Sequence, residues 1–160
     1  MLVPHYSFVL HTRNPLAKAG AGNEGDLYAE IAPGMGETLA SGAEGAAWRM
    51  NVSESSQAVT MRAFANFSEA YLPVSGAQAV PLVNSIYDTP TTVMDKGTVT
   101  QRVVSYGSYC LSTDQDARDR IGGALFNVGK HLEIELGGPQ DIEGALVGDS
   151  LYIVQSRPQP

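Results

Sequence analysis

The chain has 160 residues, 43% of them hydrophobic and 17% charged, and carries a formal net charge of −7. That is one domain's worth of chain, able to bury roughly two-thirds of its unfolded surface. The negative charge disfavours nucleic acid and anionic membranes as partners, but leaves room for a locally held ATP or a neutral polysaccharide.

Cys110 is the single cysteine, so no internal disulfide can form and a reducing compartment is expected. No apolar run of about 18 residues is present, and no signal or targeting peptide is read. Residues 6–12 (YSFVLHT) read as a buried strand beginning almost at residue 1, which leaves no room for a leader. Arg13-Asn14-Pro15 then turns the chain, because the residue before proline is pushed out of the helical region. No second histidine lies near His11 in sequence, so His11, His5 and His131 are read as core or hydrogen-bonded residues, not ligands. Gly20-Ala21-Gly22-Asn23-Glu24-Gly25 fits G-x-G-x-x-G formally. A dinucleotide loop must leave a strand and open a helix, whereas here residues 27–31 alternate like a second strand. The run is therefore read as a hairpin loop.

Residues 32–42 (APGMGETLASG) place glycines ahead of a short Glu-led helical turn. Two readings are open. The exposed backbone N–H groups can face an anion, or the run is a tight strand-to-helix turn in which Glu37 complements the helix dipole. Residues 47–52 and 58–64 read as paired strands across a 53–57 loop, with Trp48 in the core. Residues 73–95 have no clear period and are rich in Pro, Ser, Thr and Val. They read as an insertion or long loop with a short strand at 82–87. Residues 98–106 read as another strand. Thr113-Asp114-Gln115-Asp116 resembles a capping box with Asp in place of Glu. It opens a helix in which Ala117, Ile121, Ala124, Leu125, Val128 and Leu132 recur at helical spacing, ending near Leu136-Gly137-Gly138.

Two strand-like runs close the chain, residues 140–147 and 151–157, separated by Gly148-Asp149-Ser150. Asp141 and Glu143, two apart on a strand, share a face. Two such carboxylates repel unless a cation lies between them, and hard oxygen donors suit Mg²⁺, which usually arrives with phosphates. If all three residues of 148–150 form the loop, Glu143 faces Gln155 and Asp141 faces Arg157, all on one side. A two-residue loop shifts the register by one and separates the sets. A site here needs the odd loop or a bulge. Otherwise the stretch is an edge hairpin with a surface Asp–Arg pair worth at most about 1 kcal/mol.

Gln140-Asp141-Ile142-Glu143, followed by Gln155-Ser156-Arg157-Pro158, resembles the end of the nucleotide-binding domain of the dikinases. These include pyruvate, phosphate dikinase, phosphoenolpyruvate synthase and the glucan, water dikinases, with D-x-E on one strand and Q-[ST]-R on the next. The run ending His11-Thr12-Arg13-Asn14-Pro15 is similar to the family's F-T-x-N-P, with His11 in the aromatic position. Residues 34–42 resemble G-[LM]-G-E-x-[LV]-x-S-G, which borders the nucleotide cleft, and residues 58–69 resemble the phosphoglucan, water dikinase branch. The resemblance covers most of the chain outside 73–95.

The resemblance implies an α+β fold, the later portion of an ATP-grasp-type nucleotide-binding domain. It would be mainly antiparallel sheet with one long helix near the C-terminus, residues 1–160 forming a partial AMP/ATP-binding domain of the pyruvate, phosphate dikinase type. The ligands implied are ATP and Mg²⁺. Asp141 and Glu143 would hold the metal, and Gln155 and Arg157 would contact phosphates. Glu143, Gln155 and Arg157 would carry the catalysis, with Glu30 and Glu37 bordering the nucleotide. The family reaction moves the β-phosphate of ATP to an enzyme histidine and on to a starch glucosyl hydroxyl, and the γ-phosphate to water. The phosphohistidine domain, the first ATP lobe and any starch-binding module are missing from this sequence. Glucan would be met only through upstream domains, and the isolated chain is expected to be inactive. The full-length family protein would be plastidial. The stop at Pro160 favours the glucan branch over a phosphoenolpyruvate synthase-like fragment. A non-catalytic nucleotide- or Mg²⁺-binding domain and a truncated remnant stand as alternatives.

Overall fold

Strand β1 (Tyr6–His11) alternates fully buried Tyr6, Phe8 and Leu10 with residues of the opposite face, which suits a strand at the centre of a sheet. The computed structural model of the chain describes residues 5–40, 45–66, 69–73, 99–103 and 105–160. Among these, β2 (Leu27–Pro33), α1 (Glu37–Ala40), β3 (Trp48–Val52), β4 (Val59–Ala63), β5 (Glu69–Pro73) and β6 (Val99–Val103) follow in order. A 3₁₀ turn (Tyr106–Ser108), α2 (Cys110–Thr113), α3 (Gln115–Glu135), β7 (Gln140–Val147) and β8 (Ser150–Pro158) complete the chain. Within the described residues six strands form one antiparallel sheet in the order β4-β3-β2-β1-β7-β8, and β5 pairs with β6 in a separate ladder. This is the α+β, mainly antiparallel architecture with one long late helix that was expected.

Helix α3 covers one face of the sheet. Its glycines allow the close approach: a Cβ on Gly129 would lie 2.9 Å from Leu27, and one on Gly122 would lie 2.5 Å from Val59. The helix thus spans the sheet from β4 to β1. The core it closes includes Phe8, Leu10, Ile31, Met50, Leu125 and Ile142. Beside it, the Trp48 ring lies 5.1 Å from Tyr106, 5.4 Å from Tyr109 and 5.9 Å from Tyr6, and its Nε1 donates to Ser112 Oγ at 2.9 Å. Trp48 is a core residue, as read. Among the described residues no helix is long and apolar enough to cross a membrane.

Several expectations shift. The α3 cap is Asp114, not Thr113: its carboxylate accepts from the N–H groups of Asp116 and Ala117. Thr113 ends α2, where its hydroxyl donates to the Tyr109 carbonyl at 3.2 Å. Phe126 is buried on α3 while Ala124 is exposed, because the helix rests on the sheet through Gly122 and Gly129, which carry no hydrophobic signal of their own. The strand expected over 98–106 ends at Val103, and Tyr106 enters the 3₁₀ turn. His131 lies exposed on α3. His5 is hydrogen-bonded as expected: its Nδ1 accepts from the Gly148 N–H at 2.8 Å, and burial pushes its pKa down. The loop with Gly20 and Gly22 joins two antiparallel strands, so it is a hairpin loop. The insertion expected over 73–95 and its 82–87 strand lie outside the described residues, apart from Pro73.

Candidate functional site

The sheet face opposite α3 is polar at one end and apolar at the other. It carries Ser7, Val9 and His11 from β1, Tyr28 and Glu30 from β2, Arg49 and Asn51 from β3, and Asp141 and Glu143 from β7. Paired hydrogen bonds pin the start of β7 to the end of β1: Thr12 N donates to the Gln140 carbonyl at 3.0 Å, and Gln140 N donates to Thr12 Oγ1 at 2.9 Å. That staple sets His11 opposite Asp141 and Val9 opposite Glu143.

The last hairpin turns through two residues, Gly148 and Asp149, with Ser150 already in β8 opposite Val147. Gly148 has φ +58°, the left-handed conformation that glycine adopts freely at the first position of a tight hairpin turn. The three-residue loop is therefore corrected to two. Left alone, that register would put Gln155 and Arg157 on the α3 side. A bulge restores it: Gly144 faces Ile153 while Glu143 faces Gln155, leaving Val154 as an extra residue on β8. Asp141 faces Arg157. All four residues share the polar face. Gly144 is where the bulge needs space, since a Cβ there would lie 2.4 Å from both the Tyr152 carbonyl oxygen and Phe8 Cζ.

The electrostatics differ from residue to residue. Asp141 is recessed and held on one oxygen: Oδ1 is hydrogen-bonded to His11 Nδ1, while Oδ2 lies 3.6 Å from Arg157 Nε, an ion pair beyond hydrogen-bond range. Arg157 is 62% exposed, so its outer nitrogens face open space. Glu143 and Gln155 are exposed beside them. Glu30 lies in the same cross-sheet row, one strand beyond Val9, accepting from the Tyr28 hydroxyl at 2.6 Å and lying 3.3 Å from Arg49 Nε. Burial, then the bond to Glu30 and its charge, drive the Tyr28 phenol well above its ordinary range, so it stays a donor. Asn51 Oδ1, on the same face, is buried without a hydrogen-bond partner.

Glu37 stands elsewhere. It opens α1, one turn long, whose Thr38 and Leu39 N–H groups already donate to Met35 and Gly36 carbonyls. Of the two readings of this run, the structure has the strand-to-helix turn. Glu37 and Glu143 nevertheless line one cavity of about 640 Å³, walled by Val9, Met35, Leu39, Val147 and Tyr152. Buried Ser7 Oγ, without a hydrogen-bond partner, lines it too. Among the described residues no three His, Cys, Asp or Glu side chains converge as a metal site, so Asp141 and Glu143 offer two carboxylates and no more.

His11, Tyr28 and Arg49 were not read from the sequence as site residues. The polar alternation of Tyr28 with Glu30 and of Arg49 with Asn51 was a usable signal for an unburied face. For His11 no local signal existed, because Asp141 is far along the chain.

No family model matches the chain. It is 30% identical to Alpha-glucan water dikinase 2 of Arabidopsis thaliana, over 96% of this chain and 12% of that protein. It is 28% identical to Alpha-glucan water dikinase, chloroplastic, of Solanum tuberosum, over 96% of this chain and 11% of that protein. A shorter stretch, 41% of the chain, is 32% identical to 9% of Rifampicin phosphotransferase of Bacillus subtilis (strain 168). The chain thus spans only a small part of the length of the relatives it matches. All three are phosphotransferases by name, and the resemblance read from the motifs holds over nearly the whole sequence: the chain is homologous to a segment of the alpha-glucan water dikinases.

Proposed function

We propose that this chain is the later, ATP-grasp-type part of the nucleotide-binding domain of a glucan water dikinase. The observation that carries the reading is the bulged register, which sets Asp141, Glu143, Gln155 and Arg157 on one face beside an apolar cavity. A nucleotide has the same division: a planar apolar base and a charged tail. The cavity wall of Val9, Met35 and Tyr152 suits the base, and the polar end suits the phosphates.

The donor set fits a hydrated Mg²⁺, which keeps several waters and takes one or two carboxylates plus substrate phosphates. Glu143 would be the open ligand, and Asp141 the recessed one on the same face. Bound there, the ion would neutralise phosphoryl oxygens as charge builds on them. Arg157 carries the rest of that work. Its Nε is tied toward Asp141, which aims the planar fork outward at phosphate oxygens. Gln155, opposite Glu143, donates from its amide to orient the same group. Glu30 and Glu37 border the nucleotide, Glu37 from the cavity wall and Glu30 through its hold on Tyr28 and Arg49.

The reaction proposed for the complete protein consumes ATP and water. The β-phosphoryl passes to an enzyme histidine and then to a glucosyl hydroxyl, the γ-phosphoryl passes to water, and AMP and phosphate leave. The histidine, the glucan contacts and the lobe that closes over ATP would come from other parts of the longer polypeptide. Three of the matched relatives are named chloroplastic, so a plastid setting is proposed with the function.

The test is amide NMR of the labelled chain titrated with Mg·ATP. Millimolar nucleotide should shift residues 34–40, 141–144 and 152–157. Micromolar affinity would contradict the incomplete cradle, and shifts confined to the α3 face would remove the site.

A further inference from the structure

We infer that His11 is a positioning residue, holding the Asp141 carboxylate in the orientation that metal and phosphate binding need. The inference rests on the nucleotide reading above. His11 is the last residue of β1 and has Tyr28 on β2 and Asp141 on β7 as its cross-strand partners. Its Nδ1 meets Asp141 Oδ1, and an ionised carboxylate only accepts, so Nδ1 carries the proton. The other oxygen is 3.6 Å from Arg157 Nε. The carboxylate is therefore held by a hydrogen bond from β1 and faces a cation on β8.

A free aspartate turns readily about its last torsion, whose wells are broad and roughly two-fold. With Oδ1 fixed by His11, only Oδ2 is presented toward Arg157 and the open side of the sheet. His11 is itself held. Its ring stacks on Tyr28 at a centroid distance of 5.9 Å and an interplanar angle of 30°. The Tyr28 hydroxyl is tied to Glu30, which lies 3.3 Å from Arg49 Nε. The Thr12–Gln140 staple one residue on keeps the two backbones in register. His11 works through Asp141, whose Oδ1 its Nδ1 holds. Hydrogen bonds to metal-bound carboxylates commonly change metal affinity by about 10–100-fold when removed.

The experiment uses Mn²⁺ with ATP as the probe and follows line broadening of amides 141–144 in the labelled chain. His11→Phe keeps the ring on Tyr28 but loses the donor; His11→Asn keeps a donor on a short side chain. His11→Phe should weaken Mn·ATP binding by about tenfold and leave metal-free ATP unchanged, while His11→Asn stays within about threefold of the native chain. Equal Mn·ATP affinity in His11→Phe and the native chain overturns the inference while leaving the site intact. No broadening at 141–144 in the native chain is a different failure, which removes the nucleotide reading and the inference with it. Should His11→Phe not fold, the ring nitrogens of native His11 serve instead. Mg·ATP should shift the Nδ1 resonance, and an unmoved resonance in a chain that binds Mg·ATP overturns the positioning role.

Discussion

Glu143 and Gln155 face each other across the last hairpin because Val154 is an extra residue on β8. The two-residue turn at Gly148-Asp149 alone would send Gln155 and Arg157 to the helix-covered side. One bulged residue therefore decides whether the chain has a polar site or an ordinary edge strand.

Deleting Val154, the unpaired residue, should make the β7–β8 ladder regular and keep the site: Gln155 would follow Ile153 directly and stay opposite Glu143, with Arg157 opposite Asp141. Deleting Ser156 instead should bring Arg157 opposite Ile142, on the α3 side, and away from Asp141. In a full-length dikinase carrying this segment, autophosphorylation should fall by on the order of 10²–10³ in the Ser156 deletion, with the circular dichroism spectrum preserved, and far less in the Val154 deletion. Val154→Ala should be nearly silent. Equal activity after deletion of Ser156 would show that the register does not matter.

In the full-length protein, Glu143→Ala should cost on the order of 10²–10³ in phosphorylation of the catalytic histidine, since on the proposed reading it removes the open carboxylate that would hold the metal. Arg157→Lys should also reduce the rate, because Lys keeps the charge but has no planar two-pronged contact. Asp149→Ala, at the hairpin turn, should leave the rate unchanged. Activity of Glu143→Ala within a few-fold of native would force the metal off this strand.

Gly144→Ala should destabilise the chain by about 1–3 kcal/mol through overpacking against Phe8 and the Tyr152 carbonyl. Gly123→Ala meets nothing within 4 Å on α3 and should stabilise it by about 0.5–1 kcal/mol. Urea midpoints of the two variants check both signs.

Asp114→Ala should cost about 1 kcal/mol as the loss of an N-cap, whereas Thr113→Ala should stay within about 0.5 kcal/mol. A larger loss at Thr113 than at Asp114 would move the cap back by one residue.

Glu133 gives a pH prediction. Partial burial works against its carboxylate, but hydrogen bonds from Arg13 and Thr12 and the charges of Lys130 and Arg13 outweigh this and hold its pKa below the ordinary value. A depressed folded pKa stabilises above the unfolded value of about 4.3, and that contribution is lost as pH falls through the folded value. Native chain should therefore exceed Glu133→Gln in urea midpoint near neutral pH, with the gap closing below about pH 4. A gap that widened on acidification would reverse the sign.

The amino-acid sequence by itself determined the parts whose cause is local. A buried apolar run marked β1, alternation marked β2, a helical period marked α3, and residue type at strand spacing marked Asp141, Glu143, Gln155 and Arg157 as out of place in an ordinary strand. The tertiary structure decided what those parts meet. It put β7 beside β1, so that His11 reaches Asp141 across most of the chain's length. It let α3 settle on Gly122 and Gly129, which made Phe126 a core residue and left Ala124 outside. It placed the extra residue at Val154, opposite a glycine with no space for a side chain. The physical reason is range. Propensity and periodicity act over a few residues. Strand order, bulge position and cavity shape depend on packing between segments far apart in sequence, where a shift of one residue exchanges every face.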